Sequence, residues 1–186
     1  MSEIQLPKGI TLGELAARKA EFDLEALLGE TRVLVFRHSD EGSPLYATPD
    51  EGIPSSHQAN DTSVFSFKDG EAPTAGNLAT AVVVPLTPTH KNLHEDQVLM
   101  GRSLTNDIRL VSNQISKVHV RFELDEGKWQ IVDLGSSNGT RLNGLKLEAD
   151  RAYFMRDGDE LIVGDIVVLY LDAEGLLDLT SLIPRS

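Results

Sequence analysis

The chain has 186 residues, 40% of them hydrophobic, which is enough apolar material for a folded core. It has no cysteine, no apolar run near the roughly 18 residues of a membrane helix and no signal-like N-terminus, so we expect a cytoplasmic protein without disulfides. The net charge is −12, and residues 1–98 alone carry −8. This acidity argues against nucleic acid and membrane partners, because binding to phosphate backbones draws on Lys and Arg.

The first part of the chain contains one predicted helix and several short strands. Thr11-Leu12-Gly13-Glu14 has the pattern of a capping box, and an apolar stripe continues it into a predicted helix over 11–28. Three β-rich segments predict short strands at Thr31–His38, Leu45–Ala47 and Ser63–Phe67. The residues between these segments are rich in Ser, Pro, Gly and Asp, which is typical of loops.

The second part has the spacing of an all-β sandwich. Thr80–Leu86 predicts a strand, and strand-like segments recur every eight to twelve residues after Gln97, separated by Gly-containing turns at 125–127, 143–144 and 157–158. The predicted fold is therefore mainly β, with an antiparallel sandwich over residues 80–172. Residues 1–79 form an acidic extension with one helix and a few short strands, and 173–186 form a tail in which leucines pack back as a turn of helix.

Three polar clusters fall at the ends of the predicted strands. They are Gly101-Arg102, then Ser116-Lys117 with His119 close behind, and finally Ser136-Ser137-Asn138-Gly139-Thr140. Loops at the end of a sandwich commonly hold the binding groups of the domain. Guanidinium, ammonium, hydroxyl and amide groups are hydrogen-bond donors, so the clusters suit a small oxyanion with several acceptor oxygens.

These clusters resemble the signatures of the forkhead-associated (FHA) domain, a reader of phosphothreonine peptides. The order and spacing match, and so do the flanking segments Asn106-Asp107-Ile108, Asp133-Leu134-Gly135, Asp157-Gly158-Asp159 and Val163-Gly164. The resemblance covers residues 80–172, about half of the chain. It implies an FHA-like β-sandwich that binds a phosphothreonine segment as a non-catalytic adaptor in Ser/Thr kinase signalling. The implied partner is a phosphothreonine-containing protein, such as a Ser/Thr kinase or its substrate.

The resemblance also assigns roles to individual residues. Phosphopeptide binding is implied for Arg102, Ser116, Lys117, Ser137 and Asn138. Without the resemblance, Arg102 would be read as a solvated surface residue, Lys117 as half of an ion pair and Ser137 as a loop-stabilising serine. Structural roles are implied for Gly101, His119 and Gly139, and the imidazole of His119 is expected to join the loops. Readout of the residue three positions after the phosphothreonine is implied for Gln114, with Arg141 as a second contributor.

No catalytic, metal or cofactor site is predicted. The sequence lacks a nucleophile elbow, a phosphate-cradling glycine loop and a metal-ligand motif, so we do not expect an enzyme. The alternative function is that of a structural or assembly protein whose FHA-like fold makes phosphate-independent contacts.

The acidic extension contains a threonine that is a candidate for phosphorylation. Thr48 is followed by Pro49-Asp50-Glu51 in a polar stretch. One hypothesis is that phosphorylated Thr48 engages the binding face of the same or a neighbouring chain, as a regulatory arm. The alternative is that the acidic loop only keeps the protein soluble.

Overall fold

A computed structural model describes residues 10–18, 32–36, 46–47, 78–89 and 96–183 of the chain. Within them, no helix is long and apolar enough to cross a membrane. The described elements are α1 (Leu12–Ala17), β1 (Val33–Phe36), β2 (Tyr46–Ala47), β3 (Val82–Pro85), β4 (Gln97–Gly101), β5 (Ile108–Leu110), β6 (Val120–Asp125), β7 (Lys128–Asp133), β8 (Thr140–Leu142), β9 (Leu145–Lys146), β10 (Ala152–Phe154), β11 (Asp159–Val163), β12 (Ile166–Leu171) and α2 (Ala173–Ser181).

The strands form a sandwich of two six-stranded sheets. One sheet has the order β3-β1-β12-β11-β8-β9, and the other has the order β10-β7-β6-β4-β5-β2. Neighbouring strands are antiparallel, apart from the parallel pair of β4 and β5. A core of alternating apolar side chains from both sheets, including Phe36, Phe122 and Leu161, lies between them. The predicted mainly-β sandwich is confirmed.

Strand β1 comes from the segment predicted to be an acidic extension, yet it lies inside the first sheet. Leu34 pairs with Val84 of β3 on one side and with Tyr170 of β12 on the other. Leu34 and Phe36 belong to the core between the sheets, whereas Val33 and Val35 belong to a second apolar cluster. Because successive side chains of a strand point to opposite faces, this strand is buried on both sides.

The second cluster lies where the two helices cover the outer face of the first sheet. Leu12 and Leu15 of α1 and Leu176 of α2 are all fully buried there. The predicted capping box is confirmed, since Thr11 and Glu14 exchange hydrogen bonds at the start of α1. The tail forms a nine-residue helix rather than the single turn expected, and the side chain of Asp172 caps it by accepting from Gly175 N–H.

Several predictions fall outside the described residues. The helix is described only over Leu12–Ala17, so its predicted continuation over 19–28 is not covered. The predicted strand Ser63–Phe67 and the candidate phosphorylation site Thr48 also lie outside. Strands at Thr31–His38, Leu45–Ala47 and Thr80–Leu86 are each confirmed in part, as β1, β2 and β3.

Candidate anion-binding site

Three loops meet at one end of the second sheet. The first follows β4 and begins at Arg102, the second precedes β6 and contains Ser116 and Lys117, and the third joins β7 to β8. Backbone hydrogen bonds join the first two loops: Arg102 N–H donates to Ser116 C=O and Ser103 N–H donates to Lys117 C=O, each at 2.9 Å. This pairing continues the sheet beyond its regular strands and fixes Arg102 beside Ser116.

The close approach of these loops explains the glycine before Arg102. A Cβ atom at Gly101 would lie 2.6 Å from the carbonyl oxygen of Lys117 and 2.9 Å from the backbone nitrogen of His119. Both contacts are with backbone atoms, which cannot rotate away as a flexible side chain can. Only a residue without a side chain fits between the loops at this point.

The imidazole of His119 joins the second loop to the third. The side chain is fully buried; its Nδ1 accepts from Ser116 N–H at 3.1 Å, and its Nε2 lies 3.2 Å from Gly139 C=O. Since Nδ1 accepts a hydrogen bond, the ring proton must reside on Nε2, which donates to Gly139. Burial lowers the pKa of His119, against the opposing influence of the Gly139 carbonyl and of Asp133, so the ring is neutral.

Asp133 holds the third loop in place through hydrogen bonds. Its buried carboxylate accepts hydrogen bonds from Ser136 N–H at 2.8 Å, from Ser136 Oγ at 2.7 Å and from Thr140 Oγ1 at 2.5 Å. Burial by itself raises the pKa of Asp133, but the hydrogen bonds from Thr140 and Ser136 outweigh it, and the pKa lies below its usual value. The loop between Ser136 and Thr140 is therefore tied at both ends to one ionised group. Within it, Gly139 has φ of +79°, a value that a residue without a side chain adopts readily.

Two contacts connect the second and third loops at the surface. Ser137 N–H donates to Ser116 Oγ at 3.1 Å. The Asn138 amide nitrogen donates to Gln114 C=O and to Gln114 Oε1, both at 2.8 Å. The side chains of Gln114 and Asn138 thus hold one another in place.

These loops enclose an open pocket of about 250 Å³. It is lined by residues of all three loops: Arg102, Asn113, Gln114, Ile115, Ser116, Lys117, Ser137 and Asn138. Arg102 Nε donates to Ile115 C=O at 3.2 Å, which orients the guanidinium. Within the described part of the chain, neither terminal nitrogen of Arg102 and no atom of the Lys117 ammonium is engaged in a hydrogen bond or an ion pair. The pocket therefore presents several hydrogen-bond donors, a composition that suits an anion.

The sequence comparison agrees with this geometry, since residues 98–164 match the family model of the FHA domain. Residues 98–164 therefore form an FHA domain. The chain is similar to the oxoglutarate dehydrogenase inhibitor of Corynebacterium glutamicum, with 34% identity over 79 residues, which make up 42% of this chain and 53% of the relative. It is also similar to the glycogen accumulation regulator GarA of Mycolicibacterium smegmatis, with 37% identity over 71 residues, 38% of this chain and 43% of the relative.

The chain thus spans about half the length of these curated relatives. Among solved structures, the FHA domain of an Arabidopsis thaliana hypothetical protein is 33% identical. That alignment covers 48% of this chain and 72% of the other, with a TM-score of 0.42.

The pocket of the FHA domain brings together most of the residues singled out from the sequence. Arg102, Gln114, Ser116, Lys117, Ser137 and Asn138 all line it. Arg141 does not line it: this exposed residue lies in β8 between buried Thr140 and Leu142, and its Nη1 donates to Gly144 C=O at 3.3 Å.

Two supporting residues received no role from the sequence, although both lie in the family-like flanks. One is Asp133, described above. The other is buried Asn106, whose amide nitrogen donates to Ser103 C=O at 3.0 Å and to Lys117 C=O at 2.7 Å. Asn106 therefore fastens the first loop to the second. The signal that could have identified them is their polarity next to apolar strand residues, which is typical of buried hydrogen-bonding groups.

Proposed function

We propose that this chain is a phosphothreonine-dependent binding module that acts as a non-catalytic adaptor in Ser/Thr kinase signalling. A phosphate group adds a charge of about −1.5 to −2 and three strong acceptor oxygens. The pocket offers complementary groups, with the guanidinium of Arg102, the ammonium of Lys117 and the hydroxyls of Ser116 and Ser137 on its lining. The family match over residues 98–164 supports the same function.

The observation that carries this proposal is the hydrogen bond from Ser137 N–H to Ser116 Oγ. A serine hydroxyl has one proton to donate and two lone pairs to accept with. Because the Ser137 N–H occupies one lone pair, the Ser116 proton remains available to an acceptor in the pocket. Arg102 lines the same pocket and can meet two phosphate oxygens at once with its terminal nitrogens.

Asn138 supplies a different kind of contact. Its amide nitrogen is committed to Gln114, which leaves the Oδ1 atom as an acceptor on the exposed rim. A carbonyl oxygen repels phosphate but accepts from a backbone N–H. We assign Asn138 to the main chain of the bound peptide, beside the phosphorylated side chain.

The site also supports a function without catalysis. Among the residues of these loops, His119 would be the first candidate for a general base. However, both of its ring nitrogens are hydrogen-bonded and the side chain is fully buried. A general base must reach the proton that it removes. The relatives named above are an inhibitor and a regulator by their names, which fits action through binding. The partner of this chain would then be a phosphothreonine-containing protein, such as a kinase or its substrate.

The proposal is tested by titrating the full chain with peptides selected from a degenerate phosphothreonine library, followed by isothermal calorimetry. We expect measurable binding to the phosphothreonine peptide and none to its unphosphorylated form. The phosphoserine version should bind more weakly, because the family selects threonine through its methyl group. Equal binding of the phosphorylated and unphosphorylated forms would contradict the proposal and favour a phosphate-independent assembly role.

A further inference from the structure

Next to the pocket, two large apolar side chains are exposed at a place where the backbone is unusually well fixed. Leu104 is 59% exposed and Val118 is 36% exposed. Leu104 follows Ser103, and Val118 follows Lys117, so each lies one residue away from the 2.9 Å hydrogen bond between Ser103 N–H and Lys117 C=O. The backbone of both residues therefore lies beside the hydrogen-bonded segment that carries Arg102 and Ser116.

The loop that carries Leu104 is held rigidly. Asn106 N–H donates to Ser103 C=O at 3.3 Å, which closes a tight turn with Leu104 at its tip. The hydroxyls of Ser103 and Thr105 lie 2.9 Å apart, and the Asn106 amide holds the base of the turn to Lys117 C=O. Because these bonds already fix the backbone of the turn, covering Leu104 with a partner orders only its side chain, and this lowers the entropic cost of binding there.

The position of this apolar pair relative to the pocket is also defined. The second loop runs from Gln114 through Ser116 to Val118, so Ser116 lies between Gln114 on one side and Val118 on the other. Gln114 and Asn138 form the rim of the pocket on their side. Neither Leu104 nor Val118 lines the pocket. A peptide whose phosphothreonine occupies the pocket would run past both flanks.

We infer that Leu104 and Val118 form an apolar subsite for a hydrophobic side chain that precedes the phosphothreonine in the bound segment. This inference rests on the proposed phosphothreonine binding. It also rests on the assignment of Gln114 to the residues that follow the phosphothreonine. An aliphatic side chain is the matching partner, because the subsite offers two aliphatic groups flanked by backbone that is already hydrogen-bonded to itself. Partial burial of such side chains is worth about tenfold in affinity.

The test combines variants of the full chain with variants of the peptide. Library selection first identifies the position before the phosphothreonine at which aliphatic residues are enriched, and that residue is then replaced by alanine. For the unmodified chain, the alanine peptide should bind about tenfold more weakly. For Leu104→Ser, this difference should shrink to less than about twofold. The variant already lacks the contact that the alanine peptide removes, so the two changes are not additive.

Leu145→Ser is the matched control. Leu145 is 61% exposed, and it does not line the pocket, so the same substitution there should keep the tenfold difference. Leu104→Ser at an exposed turn should leave the melting temperature unchanged, which separates the effect from unfolding. An undiminished difference in Leu104→Ser, or no aliphatic enrichment before the phosphothreonine, would overturn the inference while leaving phosphate-dependent binding intact. Binding without regard to phosphate would overturn the proposed function and the inference with it.

Discussion

Ser116 and His119 are linked by a 3.1 Å hydrogen bond in which the backbone N–H of Ser116 donates to the imidazole Nδ1. The other ring nitrogen donates to the carbonyl of Gly139, so a single buried side chain sets the position of two of the three loops around the pocket. The serine that we propose as a phosphate contact is thereby tied to a buried residue that does not line the pocket.

Replacing this histidine should damage the fold and the site together. For His119→Ala, we expect a loss of about 1–3 kcal/mol in the free energy of unfolding, because Ser116 N–H and Gly139 C=O lose their buried partner. Phosphopeptide affinity should fall as well, since both loops are released. Urea unfolding and calorimetry measure the two effects. A variant with unchanged stability and weakened binding would instead indicate that His119 contacts the peptide directly.

Replacing Arg102 should have the opposite profile. Its side chain is exposed and its only hydrogen bond within the described structure is made by Nε, so Arg102→Ala should leave the fold intact. Phosphopeptide binding should weaken by about 2–5 kcal/mol, because the phosphate loses a charge-assisted, two-pronged contact that the ammonium of Lys117 does not replace.

Two control variants accompany the Arg102 measurement. Arg102→Lys keeps the charge but not the two-pronged geometry, and should recover only part of the affinity. Arg151→Ala removes an exposed arginine that pairs with Glu148 and does not line the pocket, so this variant should keep the affinity for the phosphopeptide. Unchanged affinity of Arg102→Ala by calorimetry would contradict the assignment.

The free energy of unfolding should fall on acidification in two stages. Burial holds the pKa of His119 below its ordinary value, so the unfolded chain takes up a proton below about pH 6.5 that the folded chain does not. Stability therefore declines from about pH 6.5 downward and levels off below the folded pKa. The pKa of Asp133 is also lowered, because hydrogen bonds from Thr140 and Ser136 outweigh its burial. Its contribution is present above about pH 3.9 and is lost as the pH falls toward the folded pKa.

Urea unfolding across a pH series distinguishes the two groups. The decline that begins near pH 6.5 should be shallower in His119→Gln, whereas Asp133→Asn should flatten the later decline. If the slope between about pH 6.5 and 5 is the same with and without the histidine, His119 is not the group responsible.

Gly101→Ala should impair both stability and binding through steric conflict alone. The added methyl group would lie 2.6 Å from Lys117 C=O, an oxygen that also accepts from Ser103 and Asn106. We expect a loss of about 1–3 kcal/mol in stability, typical of overpacking, and a weaker phosphopeptide complex.

Gly127→Ala is a useful comparison, because its methyl group meets nothing within 4 Å and only the positive φ is strained. That variant should lose stability but keep its affinity; equal affinities for both variants would disprove the coupling between Gly101 and the site.

The local features of this molecule were predictable because they depend on neighbouring residues. The capping box at Thr11 and Glu14 and the positive φ of Gly139 follow from short motifs. The pocket residues were predicted from the order and spacing of three short motifs, together with the resemblance of these motifs to the FHA domain. Arg141 was grouped with them by its place in the sequence. Its strand alternates buried and exposed positions, however, and this places the guanidinium on the outer surface of β8.

Long-range pairing was not predictable in the same way. Nothing in the local pattern of β1 indicates that it inserts between β3 and β12, because strand partners distant in sequence are chosen by the whole fold. Its four consecutive apolar residues, with no polar residue between them, are nevertheless typical of a strand that is covered on both faces, and all four are buried. The helices that cover the outer face belong to segments far apart in the chain, so their meeting could be seen only in the structure.

Gln114 should set the preference for the third residue after the phosphothreonine, and Arg141 should not. The Gln114 side chain lines the pocket and is held by the 2.8 Å hydrogen bond from Asn138, so it is ordered before any peptide binds. Arg141 lies outside the pocket and contacts Gly144 instead.

Gln114→Ala should therefore alter the residue selected three positions after the phosphothreonine in a peptide library, with a smaller loss of overall affinity than Arg102→Ala. Arg141→Ala is the matched control and should select the same peptides as the unmodified chain. A change in selection with Arg141→Ala but not with Gln114→Ala would reverse the assignment. Identical selection by all three proteins would show that neither side chain reads that residue.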